Sequence, residues 1–179
     1  MKRHKLPRDT HQQYERLAGF TLVELMITLV ILVILLTIAV PSFERFFAEN
    51  RAASGANEIL TGLHLARSEA VRRNSNASLC PSTNGETCTG GTEWARGWIV
   101  FHDVDGNGGI DLGDDAVLRV SESLSPTVSI SGPEFHTFVN SGVSLANTFD
   151  LSVSNGNNPQ RCVEVIVSGA SRVLPQECL

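Results

Sequence analysis

Beyond Lys5 the sequence contains no lysine, and after Arg119 only Arg161 and Arg172 carry a permanent positive charge. Residues 1–19 hold five of the 14 basic and two of the 19 acidic residues, so the remainder has a net charge of −8. Phosphate binding is driven by counterion release from Lys and Arg, so this balance argues against strong nucleic-acid binding. A local patch at Arg161 and Arg172 stays open, because binding depends on the patch and not the total. Catalytic equipment is also sparse. Nucleophile elbow, phosphate loop and paired metal motif are all missing. The histidines are His4, His11, His64, His102 and His136, two of them in the first nineteen residues. His102 beside Asp103 reads as a strand end meeting a turn rather than half of a dyad. No Cys-x-x-Cys occurs and no histidine neighbours the cysteines, which argues against zinc. An enzyme is therefore not expected.

What the chain does have is one long apolar run. Phe20 to Val40 has only Thr21, Glu24, Thr28 and Thr37 as polar residues. At ~1.5 Å rise per residue a helix over this run spans roughly 31 Å, enough to cross a bilayer core. Lys2, Arg3, Lys5, Arg8 and Arg16 precede it. By the positive-inside rule that segment stays in the cytoplasm and the C-terminal part crosses. Ile38-Ala39-Val40-Pro41 is a poor signal-peptidase site, so the run reads as an anchor. Glu24 is the one charge inside it. A charge in a span costs at least ~2.5 kcal/mol on insertion scales, which by default marks function.

Past the run the pattern stays helical. Phe43, Phe46 and Phe47 open a stripe continuing through Ala56, Ile59, Leu60, Leu63, Ala66, Ala70 and Val71. Steps of three and four make an amphipathic helix. Pro41 should kink it, and Ser54-Gly55 and Gly62 should weaken it. One helix is expected from about residue 20 to about residue 74, its first half in lipid and its second packed on a sheet. Strand candidates follow at 94–102, 116–120, 127–130, 135–139, 148–153 and 161–168. Gly, Pro, Asn, Asp and Ser clusters separate them, the punctuation of an antiparallel sheet. Most runs alternate, so one face should be buried and the other wet. Trp94 and Trp98, four apart, should share one strand face and pack in the core. The expected fold class is α+β, a long N-terminal helix on an antiparallel sheet or sandwich, with one modest core.

Gly19-Phe20-Thr21-Leu22-Val23-Glu24-Leu25-Met26, with a basic segment before it and Pro41 after the span, resembles the class III signal of type IV pilins and type II secretion pseudopilins. The resemblance implies cleavage by a prepilin peptidase between Gly19 and Phe20 and N-methylation of Phe20. It implies that Glu24 pairs with the N-terminal amine of a neighbouring subunit and that Pro41 softens the helix. An ammonium and a carboxylate in low dielectric attract strongly, and each is costly unpaired. Leu65-Ala66-Arg67-Ser68-Glu69-Ala70-Val71-Arg72-Arg73-Asn74, Leu79-Cys80-Pro81-Ser82 and Trp94-x-x-Gly97-Trp98-Ile99-Val100-Phe101 are similar to the FimT/GspH group of minor pilins and pseudopilins. That group implies a pilin-like fold, no catalysis, and a single-pass inner-membrane protein that moves into a filament. Its partners would be other pilin or pseudopilin subunits, through the N-terminal helix. The alternatives it carries are a DNA-binding minor pilin for DNA uptake and a type II secretion pseudopilin. Gly169-Ala170-Ser171-Arg172 keeps one of the two arginines many members have in a Gly-Arg-x-Arg ending. The domains so implied are a leader at 1–19, an assembly span at 20–40, an amphipathic helix at 41–75 and a periplasmic β-rich domain at 76–179.

Two features stand apart from this. Cys80, Cys88, Cys162 and Cys178 all lie beyond the span, and an even count in an exported domain implies disulfides. Three pairings are possible, and the local one is preferred, Cys80 with Cys88 and Cys162 with Cys178. Those two loops would contribute roughly 2.6 and 3.1 kcal/mol in the chain-entropy account. Asp103-x-Asp105-x-Asn107-Gly108-x-x-Asp111-x-x-Asp114 resembles an EF-hand calcium loop. Its last ligand is Asp rather than Glu and its flanks are strands, so a polar turn is the preferred reading and calcium the weaker one.

Overall fold

The computed structural model describes residues 19–111, 113–146, 148–155, 158–176 and 178. Residues 1–18 of the basic segment lie outside them. One helix, α1 (Leu22–Arg73), comes first. Eight strands follow: β1 (Ala77–Pro81), β2 (Trp98–His102), β3 (Ala116–Ser121), β4 (Val128–Ser131), β5 (His136–Phe138), β6 (Thr148–Asn155), β7 (Asn158–Ile166) and β8 (Ser171–Leu174). The chain divides into two compact units, 1–41 and 42–179.

In the first unit the helix start is capped by its own sequence. The Thr21 hydroxyl accepts the Glu24 amide at 3.2 Å, and the Thr21 carbonyl accepts the Leu25 amide at 3.1 Å. Thr21 and Glu24 hold the N-cap and third helical positions of a Thr-x-x-Glu box. The run that follows passes the length and hydropathy test for a membrane span, at a mean hydropathy of 2.9. Its large side chains, Leu22 to Val40, are uncovered in the isolated chain. Pro41 lies inside α1 and offers no amide to the Thr37 carbonyl.

In the second unit, Ala52, Ala56, Ile59, Leu63, Ala66 and Ala70 are fully buried along one helix face. Phe43, Phe46 and Phe47, expected to begin this stripe, are exposed, because the sheets cover the helix only from Ala52 onward. Small side chains let the backbone approach the sheets closely. A Cβ at Gly62 would collide with the Trp98 indole, and one at Gly55 would press on Leu124 and Val128. These glycines are packing positions, whatever they take from helix propensity. The helix ends in a Schellman motif. Asn74 has φ of 52°, the Ser75 amide reaches the Ala70 carbonyl at 3.2 Å, and the Asn74 amide reaches Val71 at 3.3 Å.

The strands form two antiparallel sheets, β3-β2-β1-β5 and β4-β6-β7-β8. Ala77 faces His102 and Phe138, while Glu164 faces Arg172 across β7 and β8. The main core joins the helix face to Leu79, Trp94, Trp98, Val100, Ile130, Phe138, Leu151 and Val163. The expected alternation holds in β4, whose residues are buried and exposed in turn, and fails in β1 and β2. There the outer face is buried as well. Cys80, Ile99 and Phe101 form a second small cluster beneath Cys88 and Ile110. The disulfide loop and the loop from 103 to 115 therefore cover a face expected to be wet.

Two strands, β1 and β8, fall outside the predicted set. Trp94 also departs from expectation. It precedes β2, separated from it by a turn in which the Gly97 amide reaches the Trp94 carbonyl and Gly97 has φ of 121°. Both tryptophans are still fully buried. The displaced segment covers an edge. Trp94 donates its amide to Ile130, and Gly132 donates to Thr92, along the outer side of β4. The outer side of β5 is covered similarly, with the Leu145 amide on Thr137 and Phe138 bridged to Ser144.

Candidate functional site

The first site is the head of α1. Phe20 is 81% exposed, and Glu24 stands in the exposed first turn. A carboxylate there is favoured by the positive end of the helix dipole. The motif residues are thus brought to one place, a capped helix start on an uncovered apolar surface. The Thr-x-x-Glu spacing is the sequence signal for this cap, with Thr21 as its acceptor.

At the other end of α1, Arg67 ties the helix to two distant loops. Its Nε donates to the Gly142 carbonyl at 3.0 Å, and one terminal nitrogen donates to the Ser168 carbonyl at 3.0 Å. Gly142 and Gly169 both have positive φ, near 75° and 76°. A Cβ on Gly169 would run into the Gly142 carbonyl, so both loops need glycine to meet here. Nearby, Arg72 and Arg73 both bond Glu69, whose carboxyl they hold down to about 2. Glu58 accepts a short hydrogen bond from the Ser121 hydroxyl.

The cysteines pair locally, Cys80 with Cys88 and Cys162 with Cys178. The second bond fixes the C-terminal tail to β7. The sulfurs of Cys162 and Cys178 lie near Asp150, but both are consumed in the bond.

The loop after β2 is knitted by its own donors. Asp103 Oδ1 accepts the Gly106 amide at 2.7 Å, and Oδ2 accepts the Gly108 amide at 3.0 Å and the Ser78 hydroxyl at 2.5 Å. Asn107 Nδ2 donates to Asp105 at 3.0 Å and to Asp111 at 2.8 Å. Asp115, outside the expected ligand set, accepts the Val104 and Asp111 amides. Asp114 is exposed. This is Asx-turn chemistry. Burial raises the Asp103 carboxyl above its ordinary range despite these bonds.

Arg161 lies on β7 opposite Val153, and Arg172 lies on β8 opposite Glu164. Arg172 is engaged by Glu164 at 2.6 Å, and Glu164 stands three positions along β7 from Arg161. The ion pair uses only the Arg172 Nε, and the Glu164 carboxylate offsets much of the guanidinium charge that a phosphate would meet.

Residues 55–171 match the family described as type II transport protein GspH, and residues 16–40 match the prokaryotic N-terminal methylation motif. Among solved structures, the fold is similar to the type IV minor pilin FimU of Pseudomonas aeruginosa. The identity is 21% and the TM-score 0.58, over 75% of this chain and 99% of that one. A second crystal form of FimU gives a TM-score of 0.55 at 21% identity, over 71% and 99%. The minor pseudopilin EpsH from the type II secretion system of Vibrio cholerae gives a TM-score of 0.50 at 14% identity, over 73% and 98%. Among curated proteins the sequence has no match.

Proposed function

The chain belongs to the GspH family of type II transport proteins, and we propose that it works as a processed, membrane-anchored filament subunit, a minor pilin or pseudopilin of a type IV pilus or type II secretion filament. The observation that carries this reading is the head of α1. A methylation motif, a capped helix start and a single carboxylate open an apolar surface that is exposed among the described residues. Residues 1–19 are removed after Gly19, and the new amine of Phe20 is methylated. The basic leader stays in the cytoplasm and the β-rich domain crosses the inner membrane. Two disulfides fit an oxidising compartment on that far side. Glu24 then meets the Phe20 ammonium of a neighbouring subunit as the helices bundle. In low dielectric that pair fixes the register, because either charge left alone is penalised. The chain's role in this family is structural rather than catalytic.

The test is an intact-mass measurement on protein purified from its native membrane. Loss of residues 1–19 with one added methyl group is the expected result. An unprocessed N-terminus in cells with active prepilin peptidase would leave a plain signal-anchored domain and overturn the reading. Deleting the gene then separates the filaments, since loss of pili and loss of protein secretion are different phenotypes.

A further inference from the structure

Beside β5 the surface holds a cavity of about 440 Å³, lined by Pro133, Phe135, Leu145 and Ala146 with Glu134 among them and Thr137 within it. Leu145 is 61% exposed and Phe135 40%, and both line this one cavity. The backbone around them is already engaged. Leu145 donates to Thr137, and the Pro133 carbonyl accepts the Trp94 indole at 2.9 Å. The apolar walls are therefore presented on a fixed frame.

The turn next to Phe135 has one sign of charge. The Phe135 ring lies against Gly108, where any Cβ would strike it. Gly108 belongs to the turn that carries Asp103, Asp105, Asp111, Asp114 and Asp115 and no basic residue between 103 and 115. Asp105, Asp111 and Asp114 are exposed, and so is Glu134. Among the described residues no Arg or Lys lines the cavity. His136 adds no positive charge at neutral pH, since burial pushes its imidazole down to about 4. Phe135 is thus the wall shared by an apolar cavity and an acidic turn.

We propose that this cavity receives one large apolar side chain from another protein's segment that carries arginine or lysine on both sides of it. The apolar group supplies burial, and the basic flanks answer Glu134 and the aspartates, which steers the encounter and selects the partner. Duplex DNA is rejected by the same charges. The inference stands on this face alone and does not depend on the filament reading.

The probe is a set of three fluorescent peptides with a Leu-Phe core flanked by Arg, Gln or Glu, titrated into the detergent-solubilised full chain by polarisation. The Arg peptide should bind at least about tenfold more tightly than the Gln peptide, and the Glu peptide least. Leu145→Asp and, separately, Glu134→Lys should each weaken the Arg peptide about tenfold or more. Both side chains are on the surface, and unchanged circular dichroism and intact disulfides check that the variants fold. No binding of the Arg peptide at millimolar concentration overturns the proposal, as does equal affinity for all three. Binding of duplex DNA, or Leu145-dependent self-association in place of peptide binding, assigns the face to another occupant and also overturns it.

Discussion

Arg67 and Gly142, 75 residues apart, meet through a 3.0 Å hydrogen bond from the arginine Nε to the glycine carbonyl. With the second bond to Ser168, this one side chain holds the end of α1 to the loop after β5 and the turn before β8. Removing it strands the part-buried Gly142 carbonyl, while the Ser168 carbonyl, in an exposed bond, can turn to water.

Arg67→Ala should lower unfolding stability by about 2 kcal/mol, within the range for charged hydrogen bonds. Arg67→Lys should recover only part, because one ammonium cannot reproduce the two-pronged geometry. Urea unfolding of the three proteins measures this. Equal midpoints would show that the staple contributes nothing.

Gly62→Ala sets two effects against each other. Helix propensity favours alanine by about 1 kcal/mol. The added methyl meets the Trp98 indole, and overpacking costs about 1–3 kcal/mol. The collision should win, with a lower melting temperature and a shifted tryptophan emission. A raised melting temperature would mean that the indole moves aside freely.

The bond between Cys162 and Cys178 should contribute about 3 kcal/mol, mainly by restricting the unfolded chain. Replacing both with serine should lower the denaturation midpoint while leaving the sheet signal in circular dichroism intact. An unchanged midpoint would show that the tail adds no constraint.

Acid should destabilise the domain through His136. Its imidazole titrates near 6.5 when unfolded and about 4 in the fold, because burial penalises the charged form. Between those values the unfolded chain binds more protons. Stability therefore falls as pH drops from about 6.5 toward 4, by about 3 kcal/mol in all. Asp103 has the opposite sign, since its raised folded value favours the fold as pH drops. Comparing wild type with His136→Gln in urea at several pH values isolates the histidine. The same slope in both would remove burial of His136 as the cause.

Glu24→Gln keeps the shape of the helix start and removes its charge. Processing after Gly19 should continue, while incorporation into filaments should fall steeply, read by the amount of chain in sheared filament fractions. Normal incorporation would mean that the carboxylate has no part in register.

The helix was legible because a period of three to four residues and an uninterrupted apolar run leave few alternatives. The later strands were legible from their Gly, Pro and Asn punctuation. β1 was not, since Ala77–Pro81 is buried on both faces and shows no alternation. β8 has only Ser171–Leu174 to announce it. The local cysteine pairing is what the fold contains. The Arg67 staple was beyond the reach of sequence patterns, because its acceptors are backbone carbonyls 75 and 101 residues away. The acidic turn reads both as a turn and as a ligand set because aspartate and asparagine serve turns and cations with the same oxygens.

Covered strand edges govern how such domains behave when crowded. A sheet with bare edges polymerises with any neighbour, and a membrane concentrates its proteins in two dimensions. Here β4 and β5 are closed by the chain's own 92–94 and 143–145 segments. The two end strands are short and each bears an arginine, Arg119 on β3 and Arg172 on β8. A crowded pool of these domains has no easy way to gel through its sheets. Restraint against association is thereby built into the domain, while the large exposed apolar surface lies on the helix.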